Sequence, residues 1–461
     1  MQKTPALLGG LGAAAVLGLI LVNAGWSPPA CWTAVITVLC AVWWVTEAIP
    51  MAATALIPLA AFPLTGVLSH SKVAASYGHT LVLMIAAGSM VASALEKSGA
   101  HRRVAVGLIR AVGGECPRRL LLGFMVASAG LSMWLANAAT TLMLLPVAMA
   151  ILESNSSPKL SGRLLLGIAY ASSIGGNGTP IGTPPNLICI GTYATATGKQ
   201  ISFTDWMSFG IPSVLVMLPI VWLWLSRGLE TRGAFAIPKL SPWRTEERRV
   251  LIVFALTALA WMTRAGPFGG WAGLLGVADS VGDSTVAVAA AVLLFALPNG
   301  DADGGRLLDW ETAVQIPWGI LLLVGGGLAI GQAFHASGLD RSLGQLLEPL
   351  TQLPTLLMIL VACLAGTFLT EFTSNTATAN VALPVLAATA DAIGVDPLLL
   401  LVPTTLAVNC AFMLPVATLP NAIVYGTGKI DVREMFREGF VLNLIASIVL
   451  TVVSYVLLGG R

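Results

Sequence analysis

Residues 131–148, Leu-Ser-Met-Trp-Leu-Ala-Asn-Ala-Ala-Thr-Thr-Leu-Met-Leu-Leu-Pro-Val-Ala, recur in altered form at 369–386, Leu-Thr-Glu-Phe-Thr-Ser-Asn-Thr-Ala-Thr-Ala-Asn-Val-Ala-Leu-Pro-Val-Leu. Seven of the eighteen positions are identical, at an offset of 238. Each copy is the polar centre of an apolar segment (119–152 and 352–390) too long for one crossing of a ~30 Å hydrocarbon core. Each therefore reads as a re-entrant hairpin that enters and leaves on one side. Two further pairs keep nearly the same spacing. Gly182-Thr183-Pro184-Pro185-Asn186 matches Ala417-Thr418-Leu419-Pro420-Asn421 at 235, and Ser98-Gly99 matches Ser337-Gly338 at 239. The chain is an internal duplication, with repeats over 28–226 and 249–459.

Composition sets the solvent. Of 461 residues, 56% are apolar and 10% charged, and the mean hydropathy is +0.85. Soluble proteins carry about 25% charged residues, so a soluble enzyme, a disordered chain and a nucleic-acid module are excluded. Apolar segments fall near 5–24, 30–47, 50–67, 80–112, 162–196, 206–226, 249–264, 284–298, 316–335, 397–427 and 438–459, besides the two hairpins. That makes eleven crossings in an all-α integral membrane protein. The run from Pro5 to Val22 reads as an uncleaved first helix, although Val22-Asn23-Ala24 leaves signal cleavage open.

Charge placement orients the chain. With the N-terminus inside, the cytoplasmic side holds Lys3, the group from Lys97 to Arg119 with Lys159 and Arg163, Arg227 to Arg249, Arg306, and Lys429, Arg433 and Arg437. Those are nineteen basic residues against five outside: Lys72, Lys199, Arg264, Arg341 and Arg461. The positive-inside rule is met with the N-terminus cytoplasmic and the C-terminus outside. Five crossings per repeat is an odd number, so the copies insert with opposite topology. Inverted repeats with interrupted helices characterise secondary transporters.

The stretch from Gly175 to Pro185 holds four glycines and three prolines, so the span 162–196 is broken; 397–427 is broken correspondingly at Pro415–Asn421. Irregular backbone at membrane depth belongs beside protein or a water-filled cavity. Tips and breaks together offer helix N-termini suited to an anion and helix-ending carbonyls suited to a bare alkali cation. No Lys or Arg lies near the midplane. Glu47 reads as interfacial and structural. Glu371 has two readings, a buried, paired carboxylate or a tuned one. His70, His79, His101 and His335 fall at span ends, and no Ser–His or HExxH arrangement supports an intramembrane hydrolase. The six scattered cysteines form no metal motif, and a net charge of +2 suggests no acidic partner.

The Ser374-Asn375-Thr376 and Gly182-Thr183-Pro184-Pro185-Asn186 motifs, with Glu47-Ala48-Ile49-Pro50 and the triple glycine Gly325-Gly326-Gly327, resemble the divalent anion:sodium symporter family (SLC13, INDY-type) over residues 30–450. The resemblance implies a homodimeric elevator transporter of di- or tricarboxylates in the plasma membrane. It places one sodium ion at Ser132, Ala136, Asn137 and Gly182. A second falls at Thr370, Thr373, Asn375 and Ala417. Substrate carboxylates would meet Asn137, Ser374, Asn375, Thr376 and Thr418. The first tip departs from the family pattern, since Ala136-Asn137-Ala138 lacks two hydroxyls, and Leu419 replaces a proline. Sodium-coupled transport of succinate, malate, fumarate or citrate is the expectation. A sodium-independent dicarboxylate exchanger and a sodium:sulfate symporter are the alternatives.

Overall fold

The computed structural model describes residues 4–113, 116–153, 158–229, 235, 240–266, 270–300, 304–347 and 353–459. Lys3, Arg232, Lys239 and Arg461, used in the charge count, lie outside the described residues, as does Gln352 at the start of the second hairpin segment. Helices dominate; the one β feature among the described residues is an isolated bridge between Pro298 and Arg306.

By length and composition, six of the described helical stretches can cross a membrane: Thr4–Asn23, Pro28–Thr46, His70–Ser98, Phe203–Leu225, Trp318–Ser337 and Val432–Leu458. Asn137–Glu153, Asp283–Ala296, Thr355–Thr370 and Leu398–Val408 are apolar but shorter, and other expected spans are divided by their sequences. The segment expected as one element at 80–112 is two. Gly99, at φ +75°, ends Thr80–Ser98 and starts Ala100–Val112. Arg102, Arg103 and Arg110 make the second helix amphipathic. It is anchored where Arg103 pairs with Glu247 at 2.9 Å, both buried, and lies over the Trp243 ring at 4.4 Å. The stretch 50–67 likewise divides into Met51–Thr54 and Ile57–Leu64.

Both hairpins form. The first pairs Pro117–Ser132 with Asn137–Glu153, and the second pairs Thr355–Thr370 with Asn375–Ala392. Pro117 and Pro354 start the incoming arms, where a missing N–H costs nothing. Both spans break as well, the second at 409–418 rather than at the expected Pro415–Asn421, because the chain leaves the helix seven residues before Pro415 and Thr418 caps the next one. Pro158–Gly176 gives way to Pro184–Thr197, and Leu398–Val408 to Leu419–Tyr425.

The repeats interlock through these pieces. Each incoming hairpin arm packs on the first half of its own broken helix. Each outgoing arm packs on the second half of the other repeat's: Asn137–Glu153 on Leu419–Tyr425, and Asn375–Ala392 on Pro184–Thr197. The crossed pairing brings both breaks into one buried core.

Candidate functional site

The two tips are built alike. Ser132 Oγ donates to Asn137 Oδ1 at 2.7 Å, and Thr370 Oγ1 donates to Asn375 Oδ1 at 2.7 Å. In each repeat a hydroxyl five residues upstream thus fixes the tip asparagine, leaving its Nδ2 to serve as donor. The breaks are alike too. Asn186 Nδ2 donates to the carbonyls of Gly176 (2.9 Å) and Thr179 (2.8 Å), and Asn421 Nδ2 to those of Ala411 (3.0 Å) and Leu414 (3.1 Å). This amends the expectation of free helix-ending carbonyls. A buried amide holds two of them at each break, each carbonyl keeping a second lone pair for a cation.

At the first site, Asn137, Gly176 and Gly182 crowd together. A methyl group on Gly176 would stand 2.8 Å from Asn137 Oδ1 and 3.3 Å from the Gly182 carbonyl; one on Gly182 would overlap the Gly176 carbonyl. Only glycine allows this approach. The structure therefore gathers Ser132, Asn137 and Gly182, with Ala136 on the same tip. At the second site Thr370 and Asn375 are paired as above. Thr373 bonds Thr378 at 2.5 Å, and Ala417 lies in the break, its N–H on the Leu414 carbonyl.

The substrate positions separate into two kinds. Ser374 caps its helix by accepting from the Ala377 N–H at 3.1 Å, and Thr418 does the same for Asn421 at 3.2 Å. Thr376 is half-buried on the first turn. Ala136 has no oxygen with which to cap. Instead Ala136 and Ala138 line a cavity of about 340 Å³, bounded by Trp134 and Gly182 and, opposite, by Ser89, Ser93 and Gln315. Trp134 holds this tip against neighbouring helices, stacked on Phe203 and Trp261 and edge-on to Phe254 at 5.2 Å.

Glu371 is buried and fully hydrogen-bonded. It accepts from the backbone N–H groups of Phe412 (2.8 Å), Met413 (2.9 Å) and Leu414 (2.9 Å) and from Asn443 Nδ2 (2.6 Å). Three consecutive amides left without helical partners by the break are satisfied by one side chain, as buried irregular backbone requires. Its counterpart at offset 238 is Met133.

Sequence reasoning missed the link between the breaks. Asn409 Nδ2 donates to Asn177 Oδ1 (2.8 Å) and Asn186 Oδ1 (3.0 Å), while Asn177 Nδ2 donates to the Leu406 carbonyl at 3.2 Å. Tyr170 adds a bond to the Phe412 carbonyl at 2.7 Å. Asn409 has no polar counterpart in the first repeat, where Ile174 stands. A comparison of repeats could not have found it.

Two hairpins and two broken helices sharing a buried polar centre are the parts of a secondary transporter. The chain belongs to the family described as the sodium:sulfate symporter transmembrane region, whose model matches residues 4–458. It is 41% identical over 445 residues to the sodium-dependent dicarboxylate transporter SdcS of Staphylococcus saprophyticus, covering 92% of this chain and 85% of that protein. Against SdcS of Staphylococcus aureus the identity is 40% over 443 residues, covering 91% and 84%. Two solved structures are similar in fold, each at 13% sequence identity. The YdaH transporter of Alcanivorax borkumensis has a TM-score of 0.60 (92% of this chain, 98% of that one). MtrF of Neisseria gonorrhoeae, described as representing a class of antimetabolite efflux pumps, has 0.58 (96% of each).

Proposed function

We propose that this protein is a sodium-coupled symporter of small dicarboxylates. The observation that carries the proposal is the twice-built tip: a hydroxyl–asparagine pair beside a helix break whose carbonyls are held by a second asparagine. Such a pair of sites offers oxygen ligands to two sodium ions, a hard cation's preferred donors. Between them, helix N-termini and the hydroxyls of Ser374, Thr376 and Thr418 bind the substrate's carboxylates. Sodium at Ser132, Ala136, Asn137 and Gly182, and at Thr370, Thr373, Asn375 and Ala417, offsets the substrate's charge where no Lys or Arg does. The name of the SdcS relatives supports dicarboxylate over sulfate, and sodium coupling over sodium-independent exchange.

Eleven crossings in the plasma membrane, N-terminus in and C-terminus out, give repeats over 28–226 and 249–459 in opposite orientation. The hairpins and broken helices move as one body past the remaining helices, in an elevator motion within a homodimer. Uptake of labelled succinate, citrate and sulfate into proteoliposomes, in sodium and in choline, tests the assignment. Sodium-dependent succinate uptake is expected. Sulfate as the preferred anion, or uptake unaffected by choline, would overturn it.

A further inference from the structure

Asn380 is a buried polar side chain for which the site has no use. It lies on the outgoing arm Asn375–Ala392 of the second hairpin, fully buried. Its Nδ2 donates to the Leu323 carbonyl of Trp318–Ser337 at 3.1 Å, which fixes which end of the amide is nitrogen. Its Oδ1 is equally buried and, among the described residues, accepts from nothing. Against this amide lies Gly327, where a methyl group would overlap Oδ1 and stand 2.7 Å from Cγ. Close contact thus needs glycine on one side and leaves an acceptor unpaired on the other. Leaving a buried acceptor unpaired is costly, so a junction meant only for stability would be apolar.

The first repeat holds the same two positions apart. The counterparts of Asn380 and Gly327, at offsets 238 and 239, are Leu142 and Gly88. A methyl group on Gly88 would find Ile181 at 3.8 Å, with nothing nearer. Leu142 is 54% exposed, and both residues line the cavity that reaches Ala136 and Gly182. One pair of equivalent positions is therefore shut and the other open.

We infer that Asn380 and Gly327 form one half of a reciprocal gate, and that Asn380 is a positioning residue of the transport cycle. The contact closes the site on the face from which the second hairpin enters while Gly88 and Leu142 leave it open on the other. It parts when the site turns over. The unpaired Oδ1 keeps closure reversible, because a parted Asn380 recovers a hydrogen bond from water. This inference rests on the elevator motion proposed above, which exposes the site to each face in turn by alternating access.

The test uses the full-length protein with Leu142→Cys as reporter and Cys116→Ser as background, the five other cysteines being buried. Labelling by a membrane-impermeant maleimide is measured on each face, with and without sodium plus succinate. Gly327→Ala forbids the contact, so labelling of the reporter should fall about fivefold or more. Adding Asn380→Ala to Gly327→Ala should restore it. Asn380→Leu removes the orphaned oxygen and should shift labelling the other way, holding the reporter open and slowing maximal uptake about tenfold with KM within about twofold. Should Gly327→Ala fail to fold, the double variant must fold, since the obstruction is then gone; its failure overturns the inference. Labelling unmoved by Gly327→Ala, or not rescued by Asn380→Ala, overturns it as well. A wild-type reporter indifferent to sodium and succinate would instead overturn the alternating-access reading itself.

Discussion

Replacing Asn409 by leucine, close to it in shape, tests whether the two breaks are tied together. Asn409 is fully buried and donates to Asn177 Oδ1 at 2.8 Å and Asn186 Oδ1 at 3.0 Å. Asn409→Leu leaves both acceptors buried and unpaired, and each such loss costs about 1–3 kcal/mol. The total is about 2–6 kcal/mol, with the lower end expected because neighbouring losses share relaxation. The second repeat supports the lower end: Asn421 Oδ1 is already buried without a partner. Asn186 also holds the Gly176 carbonyl beside Asn137, so a loosened Asn186 should disturb the proposed first sodium site. Even 2 kcal/mol passed to that site is about thirtyfold in affinity. Thermal unfolding in detergent and the sodium dependence of succinate uptake are the two readouts. A lower melting temperature together with weaker apparent sodium affinity is expected. A lower melting temperature with unchanged sodium dependence would refute the coupling of the breaks to the site, and no change in either would refute the network's role altogether.

Other predictions follow from the asymmetry of the tips and from the anchoring of the arms. Thr376→Ala removes the hydroxyl proposed to meet the substrate's carboxylate and should weaken apparent succinate affinity about ten- to a hundredfold, read by uptake kinetics and substrate-dependent thermal shift; wild-type affinity would make the second tip scaffolding. Ala138→Thr supplies a donor to the first tip and should tighten succinate binding in the same assays. Ser132→Ala frees Asn137 and should raise the sodium concentration for half-maximal uptake about two- to tenfold, the range of one neutral hydrogen bond. Arg103→Met strands buried Glu247 and should destabilise the protein by about 3–5 kcal/mol, most of it recovered by adding Glu247→Met; a chemical-denaturation series on the wild type and these two variants measures both.

The hairpins, the breaks and the tip asparagines were legible in the sequence because they were written twice. The offset of 238 matched Asn137 to Asn375 before any geometry was known, and their hydroxyl partners Ser132 and Thr370 are themselves equivalent positions. What the sequence hid is what the repeats do not share. Asn409 answers to Ile174, and Glu371 to Met133, so neither stood out in the comparison. Glu371 could be given a role only once three backbone N–H groups of the break were seen converging on it. Gly99 was legible as half of a repeated Ser-Gly pair. Its left-handed turn, which separates the amphipathic Ala100–Val112 from the apolar helix before it, was not. A hydropathy run joins the two; the charges at Arg102, Arg103 and Arg110 were the available sign that it should not.

Coupling is the central claim, and it is reciprocal: if sodium drives succinate, succinate must drive sodium by the same free energy. Proteoliposomes holding equal sodium on both sides, given an inward succinate gradient and tracer radioactive sodium, measure this directly. The account predicts transient accumulation of sodium above its equilibrium level, absent when succinate is equal on both sides. Succinate entry with no net movement of sodium would contradict it.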